Sequence, residues 1–153
     1  DFVAVAKLAR FIWQATYKNI ITQAQIDHML AERYSESRLM DYLTKPDHWF
    51  ELALVNDEIC GFCACEIYQG EYKLDKLYIH PAKQRMGIGG MLIAHAAAHG
   101  RELGYGEMVL AVNKRNEQAI AAYRKHGFAV RESVCIDIGK GFVMDDFIME
   151  KPL

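Results

Sequence analysis

Gln84-Arg85-Met86-Gly87-Ile88-Gly89-Gly90 separates a stretch with strand character, Tyr72 to Ile79, from an apolar helical one running from about Gly87 to Leu103. Pro81 ends the strand, and Gly104 closes the helix. A strand, a loop and then a helix is the setting in which backbone N–H groups converge on an anion. The first turn of a helix has four unsatisfied N–H groups and a favourable dipole. Glycines let an oxygen approach the backbone closely, and Lys83 and Arg85 add positive charge. The loop therefore reads as a pyrophosphate cradle. Two common versions of it fail. A nucleotide-hydrolysing loop requires Lys-Ser or Lys-Thr at the helix start, where this chain has Gly90-Met91. A dinucleotide fingerprint requires a third glycine, where this chain has Leu92.

Downstream, Met108 to Val112 reads as a buried strand and Glu117 to His126 as a helix stopped by Gly127. Asn116 and Tyr123 lie nearly two helical turns apart and share a face, with Ala119 and Ile120 between them. A polar group at each end of a small apolar face suits the lining of a ligand cleft. From the residues alone, Asn116 also fits a helix N-cap and Tyr123 a core tyrosine with its hydroxyl at the rim. Ala129 to Ile138 and Phe142 to Glu150 form a closing hairpin that turns at Gly139-Lys140-Gly141. Upstream of the loop, Phe50 to Val55 and Ile59 to Tyr68 pair across Asn56-Asp57, and Gly70 turns the chain into Tyr72 to Ile79. Three helical stretches come first: one to about Tyr17 with Asp1 as N-cap, one from about Thr22 to Arg33, and one over Ser37 to Leu43 that ends before Pro46. The order implies one α/β domain over residues 1–153 on a mixed, mostly antiparallel sheet. Because the chain opens on a helix, the architecture also raises the expectation of a further strand before Asp1.

The chain has 153 residues, of which 52% are hydrophobic and 25% charged, enough to build a core. A net charge of −2 argues against electrostatic binding of nucleic acid. No apolar run reaches the ~20 residues that span a bilayer, and no signal peptide is visible. The expected location is cytoplasmic. Cys60, Cys63, Cys65 and Cys135 make a poor disulfide framework, and Cys60-x-x-Cys63 lacks a second ligand pair. Strand alternation places Cys63 and Cys65 on one face and Cys60 on the other. His95 and His99 share a helix face but lack the glutamate of His-Glu-x-x-His, so no metal site is expected.

The run from Leu74-Asp75-Lys76-Leu77-Tyr78-Ile79-His80-Pro81 through Gln84-Arg85-Met86-Gly87-Ile88-Gly89 to Asn116, Tyr123 and Gly127-Phe128 resembles the GNAT superfamily of acetyl-CoA-dependent N-acetyltransferases. The resemblance is strongest over roughly residues 50–150 and includes the family's Gln/Arg-x-x-Gly-x-Gly/Ala loop. It implies a central sheet with flanking helices and a splayed pair of parallel strands. It implies that the backbones of Leu77, Tyr78 and Ile79 bond the pantetheine arm of acetyl-CoA and polarise the thioester carbonyl. Gln84, Arg85, Met86, Gly87, Ile88, Gly89 and Gly90 would then hold the pyrophosphate, Asn116 would bond the pantetheine, and Tyr123 would protonate the leaving thiolate.

The resemblance also implies direct attack by a primary amine in a ternary complex. Some family members carry a glutamate as base on the strand after the phosphate helix, where this chain has Ala111. Glu66, Asp75, His80 and bulk water remain as bases. The C-terminal half, with Tyr123 to Phe128 and Asp146-Phe147-Ile148-Met149-Glu150-Lys151, looks most like bacterial polyamine N-acetyltransferases. A polyamine would favour an acidic mouth, to which Glu32, Glu36, Asp41, Asp145 and Asp146 are candidates. A protein N-terminal or lysine acetyltransferase is the second enzymatic reading, and a non-catalytic coenzyme-A-binding module is the third. No residue pattern decides between a monomer and a homodimer, and no membrane partner is expected.

Overall fold

The computed structural model describes residues 2–153, and Asp1, the expected N-cap of the first helix, lies outside them. Three helices come first: α1 (Phe2–Tyr17), α2 (Gln23–Arg33) and α3 (Glu36–Thr44). Thr22 caps α2 by accepting from the Gln25 N–H at 3.2 Å, and Ser35 caps α3 by accepting from Arg38 N–H at 3.3 Å. Ser35 thus starts the third helix earlier than the expected Ser37. Strands β1 (His48–Val55), β2 (Glu58–Tyr68) and β3 (Glu71–Ile79) form a meander. Its first turn holds Asn56 and Asp57 at φ of 51° and 65°, the twist that tight hairpins require. A short 3-10 turn, Pro81–Lys83, occupies part of the expected loop. It is followed by α4 (Ile88–Glu102), β4 (Glu107–Asn113), α5 (Glu117–Lys125), β5 (Ala129–Gly139) and β6 (Phe142–Pro152). No helix among the described residues is long and apolar enough to cross a membrane.

The strand order is β1-β2-β3-β4-β6-β5. Every neighbouring pair is antiparallel except β3 and β4, which are parallel. That pair has only two partnered positions, Tyr72 with Met108 and Lys73 with Val109. Beyond them the strands part, so the expected splayed pair is present. One face of the sheet packs its core against α4, around Leu92, Ile93, Ala96, Met108 and Met149. The other packs against α1, α2 and α3, around Trp13, Ile26, Tyr34 and Phe62.

Two bulges alter the alternation. The β1–β2 register slips where Ala53 pairs with Gly61 and Leu54 with Ile59, leaving Cys60 as the extra residue. Cys60 therefore joins Cys63 and Cys65 in the core beneath α4, contrary to the opposite face that strict alternation predicts. All four cysteines are free, and Cys135 is exposed. The second slip lies between β2 and β3, where Ala64 pairs with Lys76 and Cys65 with Leu74. Asp75 is the extra residue there, so Asp75 and Lys76 both turn toward the N-terminal helices.

Candidate active site

The parting of β3 and β4 opens a cleft of about 780 Å³ that runs from α1 to the N-termini of α4 and α5. Its inner wall is the edge of β3 at Leu77, Tyr78 and Ile79, whose backbone pairs with no strand on the β4 side among the described residues. Its outer end is the loop. Gln84, Arg85, Gly87, Ile88, Gly89 and Gly90 line the cleft with Lys83, whereas Met86 does not and is 58% exposed. Gly87 sits at the N-cap of α4 with φ 80°, and no side chain caps the helix. The first intrahelical bond runs from Met91 N–H to the Gly87 carbonyl at 3.0 Å, so the N–H groups of Ile88, Gly89 and Gly90 precede the ladder. A Cβ on Gly90 would come within 2.9 Å of His126 Cε1, so this turn of α4 lies close against the end of α5. Uncapped N–H groups, two flanking cations and a narrow approach fit a pyrophosphate. The free edge of β3 fits an extended chain carrying amide groups.

Asn116 and Tyr123 both line the same cleft, as their shared helix face predicts. Asn116 fills the cap role: its Oδ1 accepts from Ala119 N–H at 3.3 Å, and its Nδ2 donates to the Tyr17 hydroxyl at 3.5 Å. Tyr123 is set by the end of α5. Phe128 N–H bonds the Tyr123 carbonyl and Gly127 N–H the Arg124 carbonyl, each within 3.1 Å, a Schellman closure. That closure brings the Phe128 ring against the Tyr123 ring, with centroids 5.7 Å apart. Burial pushes the Tyr123 hydroxyl well above the usual tyrosine range, so it holds its proton at neutral pH. Tyr17, which the sequence did not single out, is also raised by burial. Its helix starts the chain, and no local motif links it to α5.

None of the three side chains expected as bases is placed to accept a proton in the cleft. Glu66 bonds His48 Nε2 at 3.0 Å on the far side of β2 and does not line the cleft. His80 accepts from Ala82 N–H through Nδ1 at 3.1 Å and stacks on Phe11, also outside the cleft. Asp75 does reach it, but as the centre of a buried ion cluster with Arg33 at 2.6 Å, Lys76 at 2.5 Å and Lys73 at 3.6 Å. Lys76 in turn lies over the Tyr42 ring. Burial alone would raise Asp75, but Arg33, Lys76 and Lys73 outweigh it and hold its carboxyl below the usual range. A carboxylate held that firmly ionised is a poor proton acceptor.

A second cavity of about 350 Å³ lies on the α1–α2 face of the same opening and shares Tyr17, Asp75, Tyr78 and Ala111 with the cleft. Its outer wall is held by α2 against the β5–β6 hairpin. Gln25 Nε2 donates to the Val143 carbonyl at 2.6 Å, and His28 Nε2 lies 2.8 Å from the Ile138 carbonyl. Of the acidic residues expected at an acceptor mouth, Glu32 and Asp146 line this cavity, while Glu36, Asp41 and Asp145 do not. Asp145 instead pairs with Lys114 at 2.6 Å.

Residues 10–128 match the model of the acetyltransferase (GNAT) family. The spermidine N(1)-acetyltransferase of Thermoplasma acidophilum is 28% identical over 155 residues, covering 99% of this chain and 91% of that protein. The peptidyl-lysine N-acetyltransferase YjaB of Salmonella typhimurium is 33% identical over 114 residues, covering 74% of this chain and 72% of that protein. Among solved structures, the PaiA N-acetyltransferase of Thermoplasma acidophilum in complex with coenzyme A superposes with a TM-score of 0.87 at 27% identity. That likeness covers 100% of this chain and 93% of that one.

Proposed function

The chain belongs to the acetyltransferase (GNAT) family and is an acetyl-CoA-dependent acetyltransferase; from that premise we propose that its acceptor is a small, polyamine-like primary amine. The observation that carries this reading is the second cavity. It joins the cleft at Tyr17 and Tyr78, it is closed on its outer side by α2 and the hairpin, and it holds Glu32 and Asp146 in addition to Asp75, which Arg33, Lys73 and Lys76 already neutralise. Its volume is that of a small-molecule site. The spermidine acetyltransferase, which matches nearly the whole chain, supports the same acceptor class. The lysine acetyltransferase supports a second reading, in which the amine is the end of a peptidyl lysine.

Bound acetyl-CoA supplies an activated acyl thioester. Lys83, Arg85 and the leading N–H groups of α4 hold the pyrophosphate. The free edge of β3 at Leu77, Tyr78 and Ile79 aligns the pantetheine arm, and an N–H there stabilises charge developing on the thioester oxygen. Asn116, which caps α5 and reaches Tyr17, keeps a second amide N–H for the pantetheine. Tyr123 keeps a proton available for the departing thiolate.

Thiol release with acetyl-CoA and a panel of spermidine, spermine, amino acids and lysine peptides tests the acceptor. Spermidine is expected to exceed an N-blocked lysine peptide in kcat/KM by at least about tenfold. The reverse order would move the acceptor to peptidyl lysine. Silence across the panel, with a melting temperature still raised by acetyl-CoA, would leave only a coenzyme-binding module.

A further inference from the structure

We propose that Asp146, on β6, is the group that binds the acceptor ammonium and takes its proton in the second cavity. This inference rests on the amine-acetyltransferase reading above.

The geometry begins with strand pairing. Asp146 lies opposite Asn113 and two positions along from the Ile148–Ala111 pair, which puts its side chain on the same face of the sheet as Ala111 and Asn113. That face looks into the second cavity, which Ala111, Asn113 and Asp146 all line. The side chain of Ala111 is too short to supply a carboxylate there, and Asp146 on the adjacent strand supplies one. Asp146 is only 6% exposed, yet its Oδ1 has no hydrogen-bond partner among the described residues. A buried carboxylate oxygen without a donor is costly unless a ligand brings one. An ammonium brings three.

The other charged groups around the cavity are already engaged or stand at its rim. From α2, Arg33 is paired with Asp75, and His28 is bonded to the Ile138 carbonyl. From β3, Lys73 belongs to the same Asp75 cluster. Glu32, also on α2, is an exposed rim residue. Beside Asp146 on β6, Asp145 pairs with Lys114. Tyr17, from α1, presents a hydroxyl that burial keeps protonated. Asp146 is thus the buried acid of this cavity with no cation paired to it among the described residues. Burial and the neighbouring Asp145 raise its carboxyl to about 6, against the opposing pull of Lys73, Arg33 and Lys114. It is ionised at neutral pH but far more basic than Asp75.

The proton balance closes with two residues. One ammonium proton passes to Asp146 and frees the nitrogen lone pair, which forms the bond to the thioester carbonyl carbon. The carbon–sulfur bond breaks, and sulfur leaves with the bonding pair and takes the proton held by Tyr123. The second proton lost from nitrogen restores Tyr123, and the third remains on the product amide. Asp146 then returns its proton to solvent.

The test is the pH profile of kcat/KM for the best amine, in the wild type and in Asp146→Asn. In the wild type the profile is expected to fall one order steeper per pH unit below about pH 6. In the variant this extra fall disappears, and kcat/KM at pH 7.5 drops by roughly a hundredfold or more. Unchanged acetyl-CoA affinity and a melt that stays cooperative in the variant establish that it is folded and loaded. A variant within about threefold of wild type that keeps the same acid limb overturns the proposal and assigns that limb to a group other than Asp146. Wild-type silence with every amine overturns the amine reading itself, and this inference with it, so the two failures are distinguishable.

Discussion

At the scale of single residues, the site depends on protonation states that differ between chemically similar groups. Tyr123 and Tyr17 are both held protonated by burial, and the charge of an ionised Tyr17 would further oppose ionisation of Tyr123. Tyr123 therefore enters the reaction as a proton donor. Tyr123→Phe removes the hydroxyl and leaves the ring against Phe128. Its expected effect is a fall in kcat of about 10²-fold, the usual range for losing a positioned acid, with the acetyl-CoA dissociation constant within about twofold. Single-turnover thiol release together with coenzyme titration measures both; an unchanged turnover would remove Tyr123 from the chemistry. The seven-residue spacing from Asn116 to Tyr123 made this pair readable from the sequence, because both lie on one helix. Tyr17 was not readable, since its link to Asn116 spans 99 positions. Asp146 was readable only as one of five candidate acids for an acceptor mouth, because nothing in the local sequence shows that it alone of the five is buried. Asp75 looked like a base candidate because the bulge that turns it toward Lys76, and Arg33 arriving from α2, are both invisible in the local sequence.

At the scale of elements, the positions of helices and strands were legible, because their periodicities and stops are local signals. The bulges at Cys60 and Asp75 were not, because a bulge is defined by the partner strand as much as by its own residues. Yet the Cys60 bulge lies beside the part of β2 that fixes the cleft wall. Gly61 follows it, and a Cβ there would stand 2.9 Å from the Tyr78 carbonyl oxygen and 2.8 Å from Ile79 Cδ1. The backbone contact cannot be relieved by a rotamer change, so β3 must move at its splayed end. Gly61→Ala is expected to cost about 1–3 kcal/mol and to raise the KM for acetyl-CoA several-fold. Gly70→Ala is the matched comparison. Gly70 has φ 78° with nothing within 4 Å, so an alanine there is strained but clashes with nothing. It is expected to lower stability by about 1 kcal/mol while leaving the KM for acetyl-CoA alone. Equal KM effects from the two variants would show that the loss at Gly61 comes from general destabilisation and not from the position of β3.

At the scale of the whole molecule, the two buried carboxylates near the splayed strands make opposite contributions to stability as pH changes. Asp75 has a folded pKa below its unfolded value, because its cations outweigh burial. Its contribution is fully present above the unfolded carboxylate range and is lost as pH falls through the folded value. Asp75→Asn strands Arg33 and Lys76 in the core, which at neutral pH costs about 3–5 kcal/mol. Asp146 behaves in the reverse sense. Its pKa is raised from 3.8 to about 6, so the folded state binds its proton more tightly than the unfolded chain does. Stability from this group is present at low pH, declines as pH rises from about 4 to about 6, and then stays at its lower level. At pH 8 the wild type therefore carries an ionised, unpartnered buried carboxylate. Removing that charge is worth about 1–2 kcal/mol once solvent screening is allowed for. Asp146→Asn should accordingly melt roughly 2–6 °C higher than wild type at pH 8, with the gain shrinking toward zero by pH 4 to 5. Differential scanning fluorimetry across that range, without coenzyme or amine, measures the effect independently of catalysis. A variant that gains stability while losing turnover would show that Asp146 is retained for the reaction at a cost to the fold. A variant that melts lower than wild type at every pH would instead show that the Asp146 carboxylate supports the packing of β6.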